Sequence, residues 1–192
     1  MKKISIIIIT AISILNIGCE DLFKVEEVYE TFTIKAGQHR SVERAGFLES
    51  NRLTFKAYFD ATAVYEITDP LMWNAKNKLL GFADCNVHHQ TASARFAWQW
   101  MEGRLEIYAY TYVEGQRQEA FVGTVALNST NTYSIELTND SYIFYLNDKE
   151  PIIMSRSSKC DIGIYYLLWP YFGGQIPAPH DINITIAFIY NN

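Results

Sequence analysis

Ser93-Ala-Arg-Phe-Ala-Trp-Gln-Trp-Met-Glu-Gly-Arg-Leu-Glu-Ile-Tyr-Ala-Tyr-Thr-Tyr-Val-Glu114 is the stretch from which the fold can be read. Successive side chains of a strand point to opposite faces, and here two alternating runs flank Glu102-Gly103. A two-residue turn at that dipeptide makes a hairpin, with Ser93 opposite Tyr112 and Met101 opposite Arg104. One face then holds Ala94, Phe96, Trp98 and Trp100 against Thr111, Ala109, Ile107 and Leu105, which is core. The other holds Ser93, Arg95, Ala97 and Gln99 against Tyr112, Tyr110, Tyr108 and Glu106. A register slip of one residue would mix the two sets, so the clean sorting supports this pairing.

Outward from the hairpin the pattern stays that of strands. Apolar alternation and recurring turn residues predict further strands at 28–35, 52–59, 79–83, 120–127, 132–138, 142–147, 162–168 and 181–190. In 52–59, for example, Leu53, Phe55, Ala57 and Phe59 alternate with Thr54, Lys56 and Tyr58. Residues 65–78, with Asp69-Pro70 and Trp73-Asn74, read as loop with one helical turn. No long segment has a helical period, so there are no helices to make parallel crossovers. The expected fold is all-β, an antiparallel β-sandwich of jelly-roll architecture.

The N-terminus carries an address. Met1-Lys2-Lys3 and the apolar run from Ile4 to Leu15 have the plan of a secretory signal, and the run is shorter than the roughly 20 apolar residues that span a bilayer. The close, Leu15-Asn16-Ile17-Gly18-Cys19, resembles the lipobox of bacterial lipoproteins, with Asn16 where a leucine usually stands. That resemblance implies cleavage before Cys19 and acylation of its thiol. The domain plan is therefore a lipoprotein signal peptide at 1–18, an acidic tether at 19–27 and a single β-sandwich domain at 28–192. The implied location is the bacterial cell envelope, lipid-anchored in the outer membrane. The acidic residues Glu20 and Asp21 after the cysteine are similar to a surface-export signal.

With Cys19 used for lipid, Cys85 and Cys160 remain as an even pair in an oxidising compartment. A disulfide between them would close a loop of about 75 residues and contribute roughly 4 kcal/mol; the alternative is two small buried hydrophobes. No metal-binding motif occurs and no cofactor is implied, with a structural calcium of the jelly-roll kind left open. Lys and Arg are scattered singly and the formal net charge is −5, so no basic patch is available to displace counterions from nucleic acid.

The polar face of the hairpin is the candidate binding site. Sugars present flat C–H faces rimmed by hydroxyls, so a glycan site needs rings to stack on and fixed donors and acceptors beside them. Tyr108, Tyr110 and Tyr112 supply rings; Arg95, Gln99 and Glu106 supply polar contacts. The same residue types also serve as ordinary cross-strand pairs on a solvated sheet.

The hairpin, together with Leu168-Trp-Pro-Tyr-Phe-Gly-Gly174 and Pro177-Ala-Pro-His-Asp181, resembles a group of uncharacterised exported bacterial β-sandwich proteins over residues 78–186. More distantly the strand pattern is similar to the concanavalin A-like lectin and glucanase jelly rolls, which implies a sheet face that binds or cleaves polysaccharide. The E-x-D-x-x-E pattern of those glucanases is absent; Glu102 and Glu106 come nearest, with Glu102 in the turn. Jelly-roll polysaccharide lyases are similar in using Arg, Gln, His and Tyr to neutralise a uronate and move its proton. Arg95, Gln99, Tyr108, Tyr110 and the loop pair His88-His89 offer that chemistry, without the lyase Gln-x-His and Tyr-Phe-Lys-Ala-Gly motifs.

In Trp169-Pro170-Tyr171-Phe172 a strand runs into a loop shaped by Gly173, Gly174, Pro177 and Pro179, whose aromatics either close the core or rim a pocket. His180-Asp181 is an orienting pair or a strand-entry cap, and no G-x-S-x-G nucleophile turn accompanies it. The sequence therefore points to an envelope lipoprotein that binds a glycan or polysaccharide. The alternatives are a lyase acting on a uronate-containing glycan and a structural lipoprotein with an envelope protein partner.

Overall fold

A computed structural model describes residues 27–42, 44–84, 86–156 and 165–189. Cys19, Cys85 and Cys160, and with them the lipid site and the expected bridge, lie outside the described residues. Among the described residues, twelve strands form two antiparallel sheets. In chain order they are β1 (Tyr29–Ile34), β2 (Phe47–Leu48), β3 (Arg52–Phe59), β4 (Asn77–Ala83), β5 (Ser93–Met101) and β6 (Arg104–Val113). They continue with β7 (Gln116–Val125), β8 (Thr130–Leu137), β9 (Ser141–Leu146), β10 (Ile152–Ser155), β11 (Tyr165–Leu168) and β12 (Ile182–Phe188).

One sheet has the order β1-β12-β3-β8-β9-β10 and the other β2-β11-β4-β5-β6-β7. This is the all-β jelly-roll sandwich that the alternation predicts. The inner faces meet in an aromatic core: Phe55 stacks on Tyr133, and Phe96 meets Phe55, Tyr133 and Phe144 edge-on. Trp98, fully buried, packs against Phe59, Tyr65 and Phe172. Edge-to-face and offset contacts of this kind fit the charge distribution of the rings and add to what their burial contributes.

The decisive hairpin has the expected register, from Ser93↔Tyr112 to Met101↔Arg104. Its turn places Glu102 at φ 50° and Gly103 at φ 77°, the double positive φ of a type I′ turn, whose twist matches the strands it joins. The same device recurs at Glu114 (φ 51°) and Gly115 (φ 80°), which folds β7 onto β6 with Val113 opposite Gln116. β7 thus starts four residues before the predicted 120. Residues 116–119 are exposed on a sheet edge and show no apolar alternation. The short β2 and β10 were not expected from the sequence. The 65–78 loop contains the expected single turn, a 3-10 helix at Pro70–Met72 capped by the Asp69 carboxylate, which accepts from the Leu71 N–H.

Two loops border the outer face of β4, β5 and β6. From one side, the carbonyls of Met72 and Trp73 accept from Gln99 Nε2. From the other, the backbone of Tyr171 pairs with that of Lys78, at 2.7 and 3.0 Å. Farther off, Asp84 is fully buried and accepts from Tyr142 Oη (2.6 Å) and from Arg156 Nε and Nη2 (2.7 and 3.0 Å).

Candidate functional site

The polar face of the hairpin is divided by those loops into two halves. In the half toward the Glu102 turn, the polar groups satisfy one another. Lys76 Nζ donates to Gln99 Oε1 (2.7 Å) and lies 4.3 Å from the Tyr108 ring centre. Glu106 accepts from Tyr108 Oη and from Arg104 Nε (3.1 Å). Gln99 is fully buried, with its amide held by carbonyls and its carbonyl by Lys76. Burial and the hydrogen bond to Glu106 push the Tyr108 phenol well above its usual range. Of the residues expected to bind, Gln99, Glu106 and Tyr108 therefore sit in a closed internal network.

The other half is open. Arg95, Tyr110 and Tyr112 line a cavity of about 710 Å³, a volume suited to a ligand of a few rings. Lys78, from the start of β4, and Tyr171, from the loop after β11, also line it. Arg40, His89 and Arg117 stand around them. Tyr110 and Tyr112 meet edge-on with centres 5.9 Å apart. Lys78 Nζ lies 5.1 Å from the Tyr110 ring centre and the Arg95 guanidinium 5.5 Å from it. No carboxylate lines the cavity among the described residues.

Local backbone chemistry places these groups. Arg95 faces Gly81 across the ladder, and a Cβ at Gly81 would come within 2.6 Å of Arg95 Cγ and 2.5 Å of its Cα. Glycine at 81 is thus the condition for Arg95 to lie where it does. Lys78 precedes a bulge in β4, between Lys78 and Leu80, and bulges re-aim side chains beside sites. Its Nζ donates to Gly173 O (3.1 Å), while the Gly173 N–H donates to Asn77 Oδ1 (2.6 Å). Gly173 has φ 63°, and a Cβ there would meet Ile176 O at 2.4 Å.

The electrostatics follow from this crowding of cations away from water. Burial, reinforced by Arg95 and Arg117, lowers the Lys78 ammonium to about 7. Burial also lowers Arg95 to about 10. His89 is lowered to about 4 by burial and then by Arg95, so its ring is neutral at neutral pH. Burial raises Tyr110 to about 12, helped by its hydrogen bond with Tyr112.

The 169–172 segment does both things open to it. Phe172 is buried against Tyr65 and Trp98. Trp169 stacks on Phe32 beneath Arg44. Tyr171 lines the cavity, its ring stacked on His39, and Trp169 borders it as well. His180 and Asp181 are not a working pair. His180 Nε2 bonds to Thr62 O, and Asp181 binds Lys35 and caps the Ala36 N–H. Sequence reasoning did not find Lys78, Arg40 or Arg117. Lys78 reads as the entry to a strand, and the signal that could have found it is Gly81 opposite Arg95, a glycine inside an apolar strand.

No family model and no curated protein matches the chain. Solved structures share the fold. An endo-acting O-glycanase structure from human gut microbiota, reported for mucin breakdown, aligns at TM-score 0.51 with 12% identity, covering 93% of this chain and 86% of that one. An alginate lyase, AlyC3, aligns at TM-score 0.50 with 11% identity over 85% and 72%. A GH16 protein of the Bacteroides ovatus mixed-linkage glucan locus, complexed with product, aligns at TM-score 0.50 with 8% identity over 87% and 83%. At such identities the likeness is one of fold, and the jelly roll is the class to which these carbohydrate-active neighbours belong.

Proposed function

We propose that this protein is a glycan-binding domain held at the bacterial envelope by a lipid on Cys19. The observation that carries the reading is the cavity itself: the rings of Tyr110, Tyr112 and Tyr171 border a ligand-sized space into which Arg95, Lys78 and Arg117 direct hydrogen-bond donors. Aromatic rings beside convergent donors are what a saccharide requires. The carbohydrate-active neighbours support the reading at the level of fold. The Glu106 half of the face acts as a rigid wall, because its groups are already paired.

Glycan-array or affinity-gel binding tests this. Tyr112 and Tyr171 are half-buried and border the cavity, so Tyr112→Ala and Tyr171→Ala should each weaken binding by roughly 0.5–1.5 kcal/mol while leaving the circular dichroism spectrum unchanged. Wild-type protein that binds nothing across a broad glycan panel would sink the reading in favour of a structural or protein-contact lipoprotein. Fatty-acid labelling of wild type but not of Cys19→Ala tests the anchor.

One observation favours a second reading, a uronate lyase. His89, neutral at neutral pH, shares the cavity with Arg95. A base there would take the proton α to a uronate carboxylate held by Arg95. The C4–O bond then breaks, a C4=C5 double bond forms, and the leaving oxygen takes up a proton. Ultraviolet absorbance of an unsaturated product from a polyuronate, lost in His89→Ala, is the expected signature. The hydrolytic alternative lacks a carboxylate pair in the cavity among the described residues.

A further inference from the structure

Buried charges in this molecule are otherwise provided for. Arg156 is sealed in the interior, and its guanidinium is met by the Asp84 carboxylate in a two-point pair with the Tyr142 hydroxyl alongside. Lys76 is seated between Gln99 and the Tyr108 ring.

Arg95 is the exception. It is 7% exposed, its Nε has no hydrogen-bond partner, and among the described residues no ion pair reaches it. Lys78, equally buried at 8% exposed, donates to one carbonyl and lies near the Tyr110 and Tyr171 rings, with no ion-pair partner among the described residues. Arg117, at the mouth, donates to the Asn74 carbonyl. An unpaired buried cation costs several kcal/mol through lost hydration. Two of them on neighbouring strands, each near the Tyr110 ring, is an arrangement that an anion would relieve.

We infer, resting on the glycan reading above, that the saccharide taken by this cavity is acidic, with a carboxylate or sulfate seated between the Arg95 guanidinium and the Lys78 ammonium. Three features of the cavity converge on it. First, the guanidinium presents a planar fork of donors that matches an oxyanion, and the Arg95 side chain lines the cavity with no carboxylate beside it among the described residues. Second, Gly81 keeps the space that the Arg95 stem occupies, so the cation is held in place by the ladder rather than by a partner. Third, the sugar ring belonging to that anion has Tyr110, Tyr112 and Tyr171 within the same cavity. A neutral sugar would leave both cations buried and uncompensated; an acidic one completes them. The anion also enters an arrangement whose hydrogen-bond donors are fixed beforehand, which keeps the ordering cost of binding low.

The test compares pairs that differ in charge alone, by calorimetry with the full domain: oligogalacturonate against its methyl ester, and dextran sulfate against dextran. Oligoglutamate serves as an anion without a sugar. At least one acidic member should bind ten-fold or more tightly than its neutral counterpart, and the pair that does so identifies carboxylate or sulfate as the group. The preference should fall to within about three-fold in Arg95→Gln and in Lys78→Met. The exposed Arg117→Gln, which leaves the interior untouched, should reduce it by a smaller factor. Equal binding of a charged saccharide and its neutral partner would overturn the inference while leaving the glycan reading in place, as would a preference unchanged in all three variants. Oligoglutamate bound as tightly as the acidic saccharides would overturn the glycan reading and keep only an anion site; no binding of any probe would overturn both.

Discussion

Lys78 changes charge near neutral pH because burial has moved it down from 10.5 to about 7. Between those values the unfolded chain holds a proton that the native protein lacks, so this residue makes stability rise with pH from about 7 to 10.5, and its destabilising effect is complete below 7. Lys78→Met should therefore stabilise the ligand-free domain by about 1–3 kcal/mol at about pH 6, with the gain vanishing toward pH 10, as urea denaturation at several pH values would read. The same ionisation should weaken the binding of an acidic saccharide as the pH rises through 7. Between about pH 6 and 8, His89, lowered to about 4, Arg95, at about 10, and Tyr110, at about 12, keep their charge, so Lys78→Met should flatten the profile there. His89 adds an acid limb of the same sign. Stability that is complete above 6.5 is lost as pH falls toward 4, because the unfolded imidazole takes up a proton first.

Elements differ in how openly the sequence displays them. β5 and β6 were legible to the residue because strict alternation and a Glu-Gly turn agree with each other. Residues 116–119 of β7 were illegible, since an edge strand exposed on both faces has no reason to alternate. At the site, the sequence identified which side chains share the outer face. It could not show that the loops holding Met72 and Tyr171 divide that face, since such contacts join residues far apart in the chain. Hence Gln99, Glu106 and Tyr108 read like Arg95 and Tyr110, although one set is satisfied and the other is not. Between sheets the Asp84–Arg156 pair joins the end of β4 to the segment after β10. Arg156→Met should cost about 3–5 kcal/mol in chemical denaturation, because it strands a buried carboxylate. Adding Asp84→Leu should recover much of that loss, which would separate the penalty of an unpaired charge from lost packing. Gly81→Val should act differently, forcing β4 and β5 apart and displacing Arg95 so that stability and acidic-ligand affinity fall together, since a Cβ there would meet the Ala94 carbonyl oxygen at 2.1 Å as well as the Arg95 stem.

Across the whole molecule the two sheets are assembled from chain segments in contrasting ways. β4, β5, β6 and β7 follow one another as neighbours, so the sheet that bears the cavity is largely a local meander. The opposite sheet sets β12 between β1 and β3, with Tyr29 opposite Ala187 on one side and Phe59 opposite Ile184 on the other. Pairings of that sequence separation are slow to form. Refolding followed by tryptophan fluorescence should accordingly show a phase of milliseconds to seconds in which the meander precedes closure of the other sheet. The order has a meaning for synthesis as well. Until residues 182–188 have emerged, β1 and β3 have no strand between them and the sandwich has no complete second layer. A chain still being made therefore has no finished native state to fall into, and the position of one strand acts as a timer on folding. Deleting residues 182–188 should leave a protease-sensitive chain, and adding the missing strand back as a separate peptide should restore resistance by pairing into the gap.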